Sequence, residues 1–279
     1  MSLPRLTLFA VLPILACAPA DSKPAAPEVV APAQPAELTI HATDMAFAAP
    51  DTIAPGVTRI RLINDGPSEH QAILVRLDSG KTMADLQAAM STPTPPPAWA
   101  RIVGGDGGIR TGQENITFSD LTPGTYALLC FFQNGPTDPP HFALGMAREL
   151  IVTGTRGEAP APVADAEIRL VDYSFEMPTI TAGARTLRLT NGGTEIHEIV
   201  VMRIPEGKTA QDVIASMAPG STAIGESLGG DGALSPGESN WWQATFTPGD
   251  YVALCFVPAK DGKPHVMHGM VHEFTVTAS

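Results

Sequence analysis

Short runs of alternating or crowded apolar residues recur along the chain. Residues 38–42 (LTIHA) and 59–63 (RIRLI) alternate. Residues 72–77 (AILVRL), 126–132 (YALLCFF) and 149–153 (ELIVT) are more continuously apolar. All are rich in branched and aromatic residues and are bounded by Gly, Pro, Asn or Asp, which predicts strands. Helical spacing follows Thr82-x-x-Asp85 before LQAAM and Thr209-x-x-Asp212 before VIASM. Both read as capping boxes that open a short helix. Several strands within about 110 residues predict an all-β sandwich, interrupted by one helix.

The pattern occurs twice. AELTIHATDMAF from Ala36 parallels AEIRLVDYSF from Ala166, and SGKTMADLQAAM parallels EGKTAQDVIASM. LTPGTYALLC parallels FTPGDYVALC, and GGDG stands at both 104–107 and 229–232. This is an internal duplication. It predicts two domains, 36–154 and 166–279. Residues 155–165 (TRGEAPAPVAD) read as a linker and 18–35, rich in Pro and Ala, as a tether. The GGDG stretches are expected to be tight turns that need positive φ.

The 279 residues are 44% hydrophobic, which suffices for two cores, and 26 Gly and 27 Pro favour turns over long helices. A net charge of −12 excludes nucleic acid as an expected partner and would attract a basic protein instead. Residues 1–17 read as an export signal: Arg5 is followed by an apolar run too short to span a bilayer. Its end, Ile14-Leu15-Ala16-Cys17, resembles a bacterial lipobox, which implies lipidation of Cys17 and membrane attachment through that lipid. Leu15 is less usual there, so a plain signal peptide stays open. Either way the protein is expected to be exported, either periplasmic or anchored at the outer membrane.

Only three cysteines are present, Cys17, Cys130 and Cys255. The last two hold equivalent places in the repeat, which argues against a bridge between them. Each opens a stretch rich in sulfur and imidazole, CFFQNGPTDPPHFALGM and CFVPAKDGKPHVMHGM. With an upstream histidine in N-x-G-x-x-x-H, the candidate ligands are His70, Cys130, His141 and Met146 in the first copy. In the second they are His197, Cys255, His265 and Met270. A metal-free pair of sandwiches is the competing reading. Retention of all four residue types while the spacer changes length favours a metal. Two imidazoles, a thiolate and a weak thioether form the ligand set of type 1 copper. Leu144 stands where His268 stands, so His268 is expected at the solvent edge, as are His41 and His272. Of Trp241 and Trp242, one is expected to face outward.

On these residues each half resembles a cupredoxin, the small blue-copper β-sandwich. The resemblance rests on Asn64-x-Gly66-x-x-x-His70, Tyr126-x-x-x-Cys130 and His141-x-x-x-x-Met146, with their counterparts Asn191 to His197, Tyr251 to Cys255 and His265 to Met270. It implies two tandem Greek-key sandwiches and one copper per domain, held by the eight residues named. Electron transfer with a basic redox partner such as a c-type cytochrome would follow. Copper carriage or storage, and a metal-free binding module, are the alternatives. The chain departs from the family in its Cys-to-His spacers of ten and nine residues, which leaves open whether the second histidine returns to the thiol. It has seven histidines and no His-x-His pair, from which no enzymatic activity is expected.

Overall fold

The computed structural model describes residues 33–91, 96–135, 137–217 and 223–278. The first half runs β1 (Ala36–Thr43), β2 (Ala46–Ala48), β3 (Thr52–Ile53), β4 (Gly56–Asn64), β5 (His70–Leu77), α1 (Met83–Ala89), β6 (Ala100–Ile109), β7 (Glu114–Leu121), β8 (Gly124–Leu129) and β9 (Ala147–Val152). The second half runs β10 (Ala166–Val171), β11 (Ser174–Glu176), β12 (Gly183–Asn191), β13 (His197–Arg203), α2 (Ala210–Ser216), β14 (Glu226–Leu234), β15 (Ser239–Phe246), β16 (Gly249–Leu254) and β17 (Val271–Val276). This is the fold class the resemblance implies, two tandem β-sandwiches each with a short inserted helix.

Alternation decides which face each strand buries. In β1 the inward residues Leu38, Ile40 and Ala42 are fully buried and meet Ile60 and Leu62 of β4. Leu74, Leu128 and Leu150 close the same core from the opposite sheet. Strand β5 is buried on both faces, which is why AILVRL does not alternate. Its outer face is covered by α1, whose Leu86 packs with Ile73, Val75 and Leu129. Burying one such leucine contributes about 2 kcal/mol. The predicted capping boxes form: Thr82 Oγ1 accepts from Asp85 N at 3.2 Å while Asp85 Oδ2 accepts from Thr82 N at 2.9 Å. Thr209 and Asp212 repeat the arrangement.

The halves share both sheets. One sheet has the order β11-β10-β12-β15-β7-β4-β1-β2, the other β17-β16-β13-β14-β6-β5-β8-β9-β3. The seams are β15 against β7, with Trp242 opposite Thr117, and β14 against β6, with Asp231 opposite Asp106. The GGDG stretches are therefore not turns. They lie within β6 and β14, where register shifts against β5 and β13 mark irregularities in the ladders. Their glycines are required by the seam, because a Cβ on Gly104 (φ 95°) would collide with the Asn240 side chain of the other half.

A polar cluster lies buried at this seam. Asn115 Nδ2 donates to Asp106 Oδ1 (3.0 Å) and to Gly230 O (2.7 Å), and Trp242 Nε1 donates to Asn115 Oδ1 (2.8 Å). In the mirrored position Asn240 Nδ2 donates to Asp231 Oδ1 (3.0 Å) and Ser119 Oγ donates to Asn240 Oδ1 (2.9 Å). Asp106 and Asp231 each keep a second, buried oxygen without a partner among the described residues. Burial raises both carboxyls well above the usual range, and Asp231 raises Asp106 further. Trp242 is fully buried here, while Trp241 is half-buried beside the Arg188 guanidinium.

Candidate metal centres

Each upstream histidine is delivered by a locked loop. Asn64 ends β4; its Nδ2 donates to Ser68 O (2.8 Å) and Ile109 O (3.0 Å), and its Oδ1 accepts from Gly66 N (2.9 Å). The chain is thereby turned so that His70 opens β5. Gly66 lies beneath the imidazole, and a Cβ there would sit 2.9 Å from His70 Nε2. Asn191 makes the matching bonds to Glu195 O (2.8 Å), Leu234 O (2.7 Å) and Gly193 N (2.9 Å). The N-x-G-x-x-x-H motif is thus a brace, a clearance and a donor.

The cysteine arrives at the end of a strand anchored by a tyrosine. Tyr126 Oη donates to Thr122 O (2.9 Å) and accepts from Thr122 N (3.2 Å), and Tyr251 makes the same two bonds to Thr247. This tyrosine corner sets the start of β8 and β16. The long spacers then close on themselves. His141 N donates to Phe132 O and Phe142 N to Cys130 O, both at 2.8 Å. His265 N donates to Val257 O (2.9 Å) and Val266 N to Cys255 O (2.8 Å). The extra residues project as a loop whose base is fixed.

Each second histidine opens a 3₁₀ turn, His141–Leu144 or His265–His268, that stops at a left-handed glycine, Gly145 (φ 117°) or Gly269 (φ 94°). The next residue is Met146 or Met270. Both are fully buried, and each backbone N–H donates back to the carbonyl of the histidine, at 2.9 and 3.0 Å.

The structure therefore brings His70, Cys130 and His141 together, and likewise His197, Cys255 and His265. Within each trio one donor atom from every side chain lies within 4.8 Å of the others, and all are buried. The Nδ1 atoms face inward. His141 Nδ1 is 3.5 Å and His70 Nδ1 3.9 Å from Cys130 Sγ. His265 Nδ1 is 3.5 Å from Cys255 Sγ and 3.1 Å from His197 Nδ1. Three of the Nε2 atoms are held from outside: His141 by Asn134 Oδ1 (3.1 Å), His197 by Asp172 Oδ1 (3.0 Å) and His265 by Glu195 Oε2 (3.2 Å). His70 Nε2 is buried without a partner among the described residues.

Burial sets the protonation of these groups. It lowers His70 to about 4, assisted by His141, and lowers His141 and His265 as well. It pushes the Cys130 thiol up to about 11 and the Cys255 thiol higher still, where Glu198 adds to the effect. At neutral pH His70, His141 and His265 are thus neutral imidazoles, and Cys130 and Cys255 neutral thiols. A thiophilic cation that replaced the thiol proton would meet donors already aimed at one point.

Neither thiol forms a disulfide. His268 sits at the solvent edge, its Nε2 3.1 Å from Asp261 Oδ1 and its ring against Tyr173. His41 is exposed and bonds Asp65 at 2.6 Å, and His272 lies on β17. Cys17, the expected export signal and most of the expected tether lie outside the described residues. The sequence reading missed the outer partners Asn134, Asp172 and Glu195. Of these only Asp172 carried a signal, since Asp44 recurs at its place in the repeat.

No family model matches the chain, and no curated protein matches it. Solved structures do resemble it. Auracyanin from the photosynthetic bacterium Roseiflexus castenholzii is 24% identical, covering 43% of this chain and all of that one, with a TM-score of 0.30. A multicopper oxidase is 17% identical over 86% of this chain and 87% of its own, with a TM-score of 0.26. The copper nitrite reductase of Nitrosomonas europaea is 13% identical over 88% of this chain and 94% of its own, with a TM-score of 0.25.

The expectation that the chain is not an enzyme does not stand. The structures similar to it over most of its length include enzymes, a multicopper oxidase and copper nitrite reductases. A missing His-x-His pair excludes one local motif, whereas sites assembled from residues far apart in sequence leave no such motif.

Proposed function

We propose that this protein binds copper at two type 1-like centres, one in each domain, 36–154 and 166–279, and carries electrons in the cell envelope. The observation that carries this is the convergence, twice in one chain, of two imidazole Nδ1 atoms on a buried cysteine sulfur. Copper there would supply a one-electron couple. Cys130, His70 and His141 would hold one ion, and Cys255, His197 and His265 the other. Met146 and Met270 are the axial candidates. Full burial of all six inner donors favours retention of the metal over its release, and so electron transfer over copper carriage.

The acidic chain suits a basic redox partner such as a c-type cytochrome. Leu144 and Met267, exposed apolar residues on the two 3₁₀ turns, are the contact points proposed beside the centres. Cys17 would tether the protein to the membrane by lipid.

Addition of Cu(II) to the purified protein tests this, with Cys130→Ser, Cys255→Ser and the double variant alongside. An intense visible thiolate-to-copper band is expected, roughly halved by each single change and absent from the double. Absence of the band from the unaltered protein would sink the copper reading.

A further inference from the structure

The two centres share their inner donors and differ in what stands behind them. In the second, His197 Nε2 meets Asp172 Oδ1 at 3.0 Å and His265 Nε2 meets Glu195 Oε2 at 3.2 Å. Asp172 is itself fixed by Thr194 N (2.8 Å), Thr194 Oγ1 (2.7 Å) and Glu195 N (3.2 Å). A third carboxyl, Glu198, lies buried near the thiol, where burial raises it to about 7, so it adds little fixed charge. Its backbone N–H donates to Cys255 Sγ (3.5 Å), and its Oε1 accepts from Phe256 N (2.8 Å).

The first centre's histidines have no carboxylate as a hydrogen-bonding partner among the described residues. His141 Nε2 meets the amide of Asn134, His70 Nε2 meets nothing among the described residues, and Gln71 replaces Glu198. Asp44 occupies the place of Asp172 in the repeat; it makes no bond to His70 Nε2 and acts on His70 and His141 through its charge at longer range. Lys260 Nζ stands 3.8 Å from Glu195 Oε1, yet its side chain is 87% exposed, so water screens its charge.

A carboxylate behind a metal-bound imidazole raises the basicity of the ring. Negative charge around a buried site also favours the more positive metal state, because Coulomb energies are larger away from water. Resting on the copper reading above, we propose that the two centres are unequal: Asp172 and Glu195, bonded to the outer nitrogens of His197 and His265, make the second centre favour Cu(II), while the first favours Cu(I). A single electron held by the protein resides at the first centre, with the second left oxidised, and no outside reagent enters that partition. Asp172 and Glu195 act through the histidines and are positioning residues.

The test is a redox titration of the full chain loaded with copper, followed at the visible band. Cys130→Ser isolates the second centre and Cys255→Ser the first. The first centre is expected to have the higher midpoint. Glu195→Gln in the second centre is expected to raise its midpoint, lowering Cu(II) affinity about tenfold with a smaller change in Cu(I) affinity. Asn134→Asp in the first centre should lower its midpoint. Asp172→Asn should likewise raise the midpoint of the second centre; dichroism and copper stoichiometry establish that each variant folds and loads, and Glu195→Gln carries the test should Asp172→Asn fail to fold. Equal midpoints, a higher midpoint at the second centre, or equal losses of Cu(I) and Cu(II) affinity overturn the inequality and leave the copper reading standing. Failure of copper to bind either centre overturns both.

Discussion

His141 Nδ1 lies 3.5 Å from Cys130 Sγ at a separation of eleven positions, and His265 Nδ1 lies at the same 3.5 Å from Cys255 Sγ at ten. Spacer length therefore does not set the reach of the histidine. The backbone bonds between Phe142 and Cys130, and between Val266 and Cys255, set it. Residues added beyond that clasp lengthen a loop, and closing a slightly longer loop adds little entropy.

The glycines of the seam should tolerate no side chain. Gly104→Ala and Gly229→Ala are each expected to lower stability by about 2 kcal/mol or more, from a positive φ combined with collision on Asn240 or Asn115. Gly112→Ala has a similar φ and open space around it, so a loss of only about 1 kcal/mol is expected. Urea unfolding midpoints compare the three. Equal losses would show that backbone strain alone is at work.

The buried Asp106 and Asp231 predict a pH dependence with a definite sign. Their carboxyls titrate higher in the folded chain than in the unfolded one. Between those values the folded state holds more protons, so stability falls as pH rises. The contribution is complete below about pH 4, where the unfolded carboxyl is also protonated, and is lost as pH climbs toward the folded values. Asp106→Asn should flatten this decline. Unfolding midpoints measured from acid to mildly alkaline pH check it, and an unchanged slope in the variant would refute it.

Asn64 and Asn191 should matter to both fold and site. Asn64→Ala removes two donated bonds and one accepted bond and leaves buried backbone groups unpaired, an expected loss of about 2–3 kcal/mol. Because the same bonds place His70, copper affinity at the first centre should fall while the second keeps its own. Metal titration of the variant, with the second centre as internal reference, distinguishes this from general unfolding.

The tyrosine corners should be structural only. Tyr126→Phe and Tyr251→Phe each delete a hydroxyl that bonds the threonine four positions upstream, an expected loss of about 1–2 kcal/mol. The visible band of the copper-loaded protein should keep its position. A displaced band would show that the corner also sets the geometry at the cysteine.

Much of this molecule is legible along the chain because it is local. The strands β1, β4, β5, β8 and β9 follow from branched and aromatic runs, and the capping boxes from Thr and Asp three apart. The duplication paired the candidate ligands, since each copy repeats the same donors in the same order. Strands β6 and β14 were hidden because GGDG has the composition of a turn. Their reason for being strands lies in the other half: glycine leaves room for Asn240 and Asn115, which no local pattern records.

The sequence by itself determined the all-β class, the twofold repeat and the candidate donors, because these depend on residue type and short-range spacing. Only the tertiary structure decided that both sheets run on across the halves, that the long spacers clasp shut beside Cys130 and Cys255, and that carboxylates stand behind the second pair of histidines and not the first. Each of these joins groups from separate strands or loops. Their meeting depends on how the sheets and loops pack, a property of the folded chain as a whole.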